Sequence, residues 1–597
     1  MTDARDGRGA SPDGDSPSST ASARGRRLAT LASGLERRAL ALAGIATAAL
    51  LLVVFYYPVA TVLVEAIPPA PAGQLSIFGV LGSEFYVVDI LGFTVYQALL
   101  STVASVAIGL PAAWILSRFE FRGRETLRSL TILPFVLPSI MVAIGFVATF
   151  GTNGTLNRAL ALVGLGPVKL LFTVQAIVIA HAFYNAPLVA RVTTAAWESV
   201  DARAVETARS LGASPRRAFR DVVVPQLLPS VLVGATLTFV FTFASFPIVL
   251  ALGGLRHATV EVFVYQLVRD LDYAEAASLA TVETAVSLGL TYAYLRYEAR
   301  QVGGSRGADP LPRRSLWPGS PTEWTPRQWG SRLFVAGYAL LALVLFVGPI
   351  ASMLLASVTT PDGALTLRNY AFLLQRQTTG ASFQVKPLPA VRNSLLFGLG
   401  TLALALPMGV TVAVLTSRAY RGRKVVDALA MAPLSVSGIV VGLGLLRGLV
   451  FGVEAFGWRV SASGWIAIVA AHAVAAYPFV TRNVAPMLGR LDRTLVESAR
   501  SLGASRARAL WDVELPLVWG GVVAGAAFAF AISIGEFDST VVLLQQSQAY
   551  TMPVAVQRYI GRRLGPATAM GVVLLVVTSL SFVVIERFGG RAGGGGL

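Results

Sequence analysis

In "SIGEFDST", Ser533 to Thr540, two acids interrupt an otherwise apolar run: Glu536 and Asp538. A carboxylate is costly inside a hydrocarbon layer and commonly lines a path for a polar or cationic solute. Near the end of a membrane span the same pair would instead be wet and structural, and both readings stand at this stage. A second copy of the segment, 291 residues earlier, has Ser245 and Pro247 in these places, so an acidic site would be asymmetric. His181 and His472 also match at that offset and invite a metal or proton-relay reading. One repeat-matched histidine per copy, with Asn185 in the first and Ala476 in the second, lacks the converging ligands a metal needs; helix packing fits both better. The absence of cysteine removes thiolate ligands, cysteine nucleophiles and disulfides. Only three lysines occur, Lys169, Lys386 and Lys424, and none lies in a G-x-x-x-x-G-K-[ST] phosphate loop. The chain itself is therefore expected to bind no ATP.

These residues need a scaffold, and the composition specifies its solvent. The 597 residues are 54% hydrophobic and 14% charged, with a mean hydropathy of +0.65, which describes a polytopic membrane protein. Twelve apolar runs are long enough to cross a hydrocarbon layer as helices. They lie near 39–63, 92–116, 130–150, 170–194, 227–252 and 275–296, then 333–357, 393–416, 427–452, 464–486, 518–544 and 566–586. Residues such as Ile45 to Val54 are apolar on every face, which excludes the alternation of a membrane β-barrel. The net charge of +17 raises the question of nucleic acid, but most basic residues fall in the tails and alternate loops. Charge here reports orientation, with both termini cytoplasmic, and no nucleic-acid partner is expected. The loop 64–91 has no Lys or Arg, as an outer loop should; the loop 545–565 dissents with Arg558, Arg562 and Arg563.

The chain repeats itself. "ETARSLGAS", Glu206 to Ser214, returns as "ESARSLGAS", Glu497 to Ser505, and 15 of 25 positions are identical between 201–225 and 492–516. At the same offset Pro187 meets Pro478, Arg191 meets Arg482 and Phe246 meets Phe537. Six spans per copy is an even number, so the copies insert in the same sense and form a fused dimer with a pathway between the halves. The expected division is a disordered cytoplasmic tail at 1–38, a first repeat at 39–300 and a cytoplasmic linker at 301–331. A second repeat follows at 332–588, then a flexible tail at 589–597. Each phrase falls in a cytoplasmic loop, 198–225 and 489–516, and reads as two short helices: Val205 to Leu211, broken at Gly212, then one capped by Ser214 that ends before Pro225. Amphipathic loops that anchor to lipid headgroups would look similar. Two near-identical copies, less diverged than the spans around them, point instead to a matched pair of partner surfaces.

In spacing, Glu206-Thr207-Ala208, Gly212, Val222, Val224 and Pro225, with Glu497-Ser498-Ala499, Gly503, Val513, Leu515 and Pro516, resemble the signature of permease subunits of ABC importers. Thr207 and Ser498 depart from that family's usual middle alanine. The resemblance covers essentially residues 39–587 and implies an all-α fold of about twelve transmembrane helices in two parallel six-helix repeats. It implies a transport subunit of the cell membrane rather than an enzyme. Glu206, Ala208, Gly212 and Ala213, with Glu497, Ala499, Gly503 and Ala504, would dock two separate ATP-binding subunits, and an extracytoplasmic solute-binding protein would deliver the substrate. "FASFPIVLALGGLRHATVEVFVYQ", Phe243 to Gln266, and "IAHAFYNAPLVAR", Ile179 to Arg191, are most similar to the thiamine permeases, with ferric-iron permeases the alternative. Thiamine or iron is a cation that Glu536, Asp538 and Ser245 could line a path for. Two other classes were weighed. A membrane enzyme would need a clustered intramembrane constellation, and a secondary transporter of twelve helices would not need the paired phrases.

Overall fold

The computed structural model describes residues 41–68, 70–301, 310–317, 325–375, 386–455, 457–544 and 550–589. The tail expected at 1–38 lies outside them, as does that at 589–597 apart from Gly589, and the linker 301–331 is described only in part. Among the described residues nine helices are long and apolar enough to cross a membrane, or up to eleven if each of two bent pairs is one span. Spans 1 to 5 are Ala41–Glu65, Phe85–Arg118, Ser139–Leu162, Val174–Glu198 and Pro215–Phe243. The expected span 6 is the 29-residue helix Tyr273–Gln301, long enough but made less apolar by Glu275, Glu283 and its many Ala and Thr. Spans 7 and 8 are Gln328–Ser357 and Pro387–Thr416, span 10 is Gly464–Arg490 and span 12 is Leu564–Val584. Spans 9 and 11 are the bent pairs, Arg423–Ser435 with Gly438–Val450 at 94° and Arg506–Leu517 with Trp519–Gly535 at 76°. Among the described residues strand is limited to two short two-stranded pairs.

Four spans expected to be continuous are broken, and proline or a capping side chain marks most of the breaks. In span 3 the helix Arg124–Val136 stops, and Pro138, with ψ near 137°, opens a second limb at Ser139. Proline supplies no N–H and drives its predecessor out of the helical region. In span 9 Ser437 caps the second limb by accepting from the Val440 amide at 3.3 Å. The apolar runs 227–252 and 518–544 likewise stop at Phe243 and Gly535, then restart as the short helices Pro247–Leu252 and Asp538–Leu543. In the loop 198–225 the second short helix does not end before Pro225. It continues through a π-helical turn at Phe219–Val223 into span 5, the wider turn accommodating a residue that cannot donate.

The halves exchange arms. A Cβ added at Gly145 in span 3 would lie 3.0 Å from the Pro349 carbonyl oxygen of span 7, and one at Gly444 in span 9 would lie 2.3 Å from the Pro58 oxygen of span 1. Small residues permit such backbone approach where apolar burial cannot drive helices together in lipid. Each half therefore lends its first span to the other. Polar contacts pin both crossings: Tyr57 donates to Gly448 O at 3.3 Å, and Thr155 meets Ser352 at 2.5 Å. Arg447, inside span 9, faces this interface: it pairs with Glu65 of span 1 and lies 4.7 Å from the centre of the Tyr273 ring. One continuous hydrophobic core runs through both halves.

Candidate functional site

Two of the broken spans, 5 and 11, meet at the middle of the molecule. Phe246 and Phe537, equivalent by the repeat, stack with ring centres 5.5 Å apart and planes 16° from parallel. Each sits in the gap where its helix has stopped, and both are buried. Around this stack lies a cavity of about 410 Å³, within the range of small-ligand sites. Tyr184, Phe241, Phe479, Phe528 and Phe582 supply rings to its wall; Ser245, Glu536 and Asp538 supply polar atoms. The structure thus brings together all three residues expected on a solute path.

It also separates the two acids. Glu536 accepts from the Ser539 amide at 2.9 Å, from the Thr540 amide at 3.3 Å and from the Thr540 hydroxyl at 2.6 Å, and lies 3.1 Å from His472 Nε2. Its oxygens are occupied in tying the start of the helix Asp538–Leu543 to span 10. Asp538 has no hydrogen bond or ion pair among the described residues and borders the cavity. The histidines are polar struts: His472 Nδ1 meets Ser533 at 2.8 Å and His181 bridges Ser101 at 3.1 Å and Ser245 at 2.9 Å. Since Ser245 and Glu536 are equivalent by the repeat, one contact is built with different chemistry in each half. Two acids escaped the sequence reading. Glu261 and Glu283 are each 1% exposed and lie within electrostatic reach of Asp538 or of each other. Each is a lone acid in an apolar stretch, the same signal that singled out Glu536.

The second site is the pair of loops. Asp201 caps Ala202–Ser210 through the Arg203 amide at 3.0 Å, and Asp492 caps Arg493–Ser501 through the Thr494 amide at 2.9 Å. That bond holds the Asp492 carboxyl below the usual carboxylate range. Both helices end identically: Gly212 and Gly503 have φ of 89°, and Ala213 and Ala504 donate back to Ala208 and Ala499 at 3.0 Å. This double-bonded stop needs a left-handed residue, which glycine supplies without strain. Glu206, Gly212, Glu497 and Gly503 are exposed, while Ala208, Ala213, Ala499 and Ala504 are half-buried, matching position for position. Sequence reasoning passed over the leucine of each phrase. Leu211 is 84% exposed and Leu502 90%, so a large apolar side chain stands free at the same point of both loops. The described linker segment is not loose either. Arg314–Ser315 pairs in parallel with Phe119–Glu120, and Arg313 reaches Glu198 at 2.8 Å beside the first loop.

Residues 105–296 and 405–592 match the family described as binding-protein-dependent transport system inner membrane component, once per half. The chain belongs to that family, the permeases of ABC transporters, and is a fused pair of its domains. It is 28% identical over 527 residues to the thiamine transport system permease protein ThiP of Escherichia coli strain K12, covering 85% of this chain and 90% of that one. The thiamine permease of Brucella abortus strain 2308 is 27% identical over 508 residues, 84% of this chain and 88% of that one. The sulfate transport system permease protein CysT of Salmonella typhimurium is 30% identical over 210 residues, 35% of this chain and 75% of that one.

Proposed function

We propose that the chain forms the transmembrane pathway of an ATP-driven importer for thiamine. The observation that carries the substrate is the central cavity, where five aromatic rings share the wall with Asp538, an acid that has no hydrogen bond or ion pair among the described residues. Thiamine is a fixed organic cation with two flat rings. An aromatic wall attracts such a cation by its ring faces, by about 2 kcal/mol when water is excluded, and a buried carboxylate supplies the counter-charge. An oxyanion such as sulfate would meet the wrong sign of charge. The similarity to two thiamine permeases along most of their length supports the same reading.

In this reading the two loops face the cytoplasm, as do both termini, and each docks on one ATP-hydrolysing subunit through Leu211 or Leu502, with Glu206 or Glu497 beside it. A solute-binding protein delivers thiamine at the opposite face. Docked loops must contact the ATPases differently in two states, or nucleotide could not shift the equilibrium between them. The Phe246–Phe537 stack, worth about 0.5–1.5 kcal/mol beyond its burial, is weak enough to part when the halves rock. A swing from 1:99 to 99:1 needs about 5.5 kcal/mol of differential binding, which dwarfs it. The test is uptake of labelled thiamine and labelled ferric iron in cells with and without the gene. Loss of thiamine uptake alone is expected; loss of iron uptake alone would keep the architecture and overturn the substrate.

A further inference from the structure

A second hollow lies on the flank of the first half. It measures about 510 Å³ and is walled by Tyr96, Leu100 and Val103 of span 2 and Val178 of span 4, with Arg256 and His257 at its rim. Tyr96 is 53% and Val103 65% exposed, so this wall faces outward rather than into the protein core. Its depth follows from helix geometry. At 1.5 Å per residue Tyr96 stands about 33 Å along the helix from Arg118, where span 2 ends beside the loops. That distance is about one hydrocarbon thickness, which places Tyr96 and the neighbouring Arg256 at the membrane boundary opposite the loops. Leu100, Val103 and Val178 lie nearer the membrane centre than that boundary, at the depth of acyl chains.

The rim is cationic and built. Arg256 is exposed and has no ion pair or hydrogen bond among the described residues. His257 beside it is fixed by stacking on Phe93, ring centres 5.6 Å apart and 24° from parallel. The N-terminus of the 25-residue helix Val174–Glu198 opens into the same hollow through Thr173, Val174 and Gln175, adding the positive end of its dipole. Phe172 closes the hollow in a conformation with φ of 61°, rare for a bulky residue, held by its amide donating to Leu252 O at 2.7 Å. Strain of this kind persists where surrounding structure enforces it, and it often marks a ligand-holding segment.

We propose that this hollow is a binding site for an anionic phospholipid of the leaflet opposite the loops, with its phosphate at Arg256 and the start of span 4, and one acyl chain lying along Leu100, Val103 and Val178. A cation with no protein counter-charge at headgroup depth selects an anionic lipid over a choline lipid, whose own cation it repels. An acidic docking protein could use Arg256 too, but would leave the apolar wall below the boundary unexplained.

The test is native mass spectrometry of the intact transporter complex released from nanodiscs of equal phosphatidylglycerol and phosphatidylcholine. Wild type is expected to retain phosphatidylglycerol at least tenfold over phosphatidylcholine; Arg256→Glu should abolish that preference. Val103→Trp, which fills the wall and keeps the cation, should reduce retention of both lipids by a similar factor while the complex stays assembled. Equal retention of the two lipids by wild type, or unchanged retention in both variants, overturns the site. So would an Arg256→Glu protein that keeps its lipid but no longer captures a solute-binding protein.

Discussion

Asp538 and Glu536 sit two residues apart in one turn and do different work. Both Glu536 oxygens accept from the start of the following helix, Oε1 from the Ser539 amide and Oε2 from Thr540 beside His472, so its loss leaves buried donors without partners. Such orphans cost about 1–3 kcal/mol, and Glu536→Ala is expected to lower the thermal midpoint of the purified protein by several degrees. Asp538→Asn should leave that midpoint in place and reduce thiamine uptake by about tenfold or more, the loss of a desolvated counter-charge. A scanning thermal melt beside an uptake assay separates the two, and equal melting of both variants would refute the division of labour. The sequence marked both acids as exceptional but could not tell them apart, because the distinction lies in where a helix restarts. Glu261, in the short helix Val260–Arg269, and Glu283, in span 6, carried the same signal, and only the fold shows how near they come to Asp538.

At the scale of the element, the loops were legible and the breaks were not. The nine-residue phrase announces its glycine stop and its second cap by residue type, and Gly212 and Ser214 behave as their chemistry dictates; the first helix instead starts at Ala202, three residues before the expected Val205, because Asp201 caps it from outside the phrase. Breaks in spans 3, 5, 9 and 11 were hidden inside continuous apolar runs, since hydropathy does not register where a backbone turns. The breaks in spans 3, 5 and 11 line the cavity. Gly212→Val with Gly503→Val should strain both stops, because a left-handed backbone costs an ordinary residue about 1–2 kcal/mol. The variant is expected to reach the membrane in normal amount but to recover less ATPase subunit in detergent pulldowns. Leu211→Ala with Leu502→Ala, which removes the exposed side chains and leaves the backbone intact, should do the same. Undiminished recovery in both would remove the docking role.

The whole molecule is a dimer written as one chain, and its symmetry is mechanical rather than chemical. Equivalent glycines, Gly145 and Gly444, admit the arm of the other half, yet equivalent positions at the cavity hold Ser245 and Glu536, or Pro247 and Asp538. Gly444→Ala would press a methyl to 2.3 Å from a backbone oxygen, and overpacking of this kind costs about 1–3 kcal/mol. It should show as a lower melting temperature without loss of substrate preference. Sequence offset revealed the duplication and its parallel sense; the arm exchange depends on packing between spans hundreds of residues apart and leaves no local mark. The chemical asymmetry carries the central claim, that a cation passes between the halves opposite Asp538. ATP-dependent accumulation of labelled thiamine in proteoliposomes holding the complete complex, wild type beside Asp538→Asn at equal complex content, tests it most directly. The account predicts accumulation by the wild type and a drop of about tenfold or more in the variant. Equal accumulation by both, or none by the wild type, would contradict it.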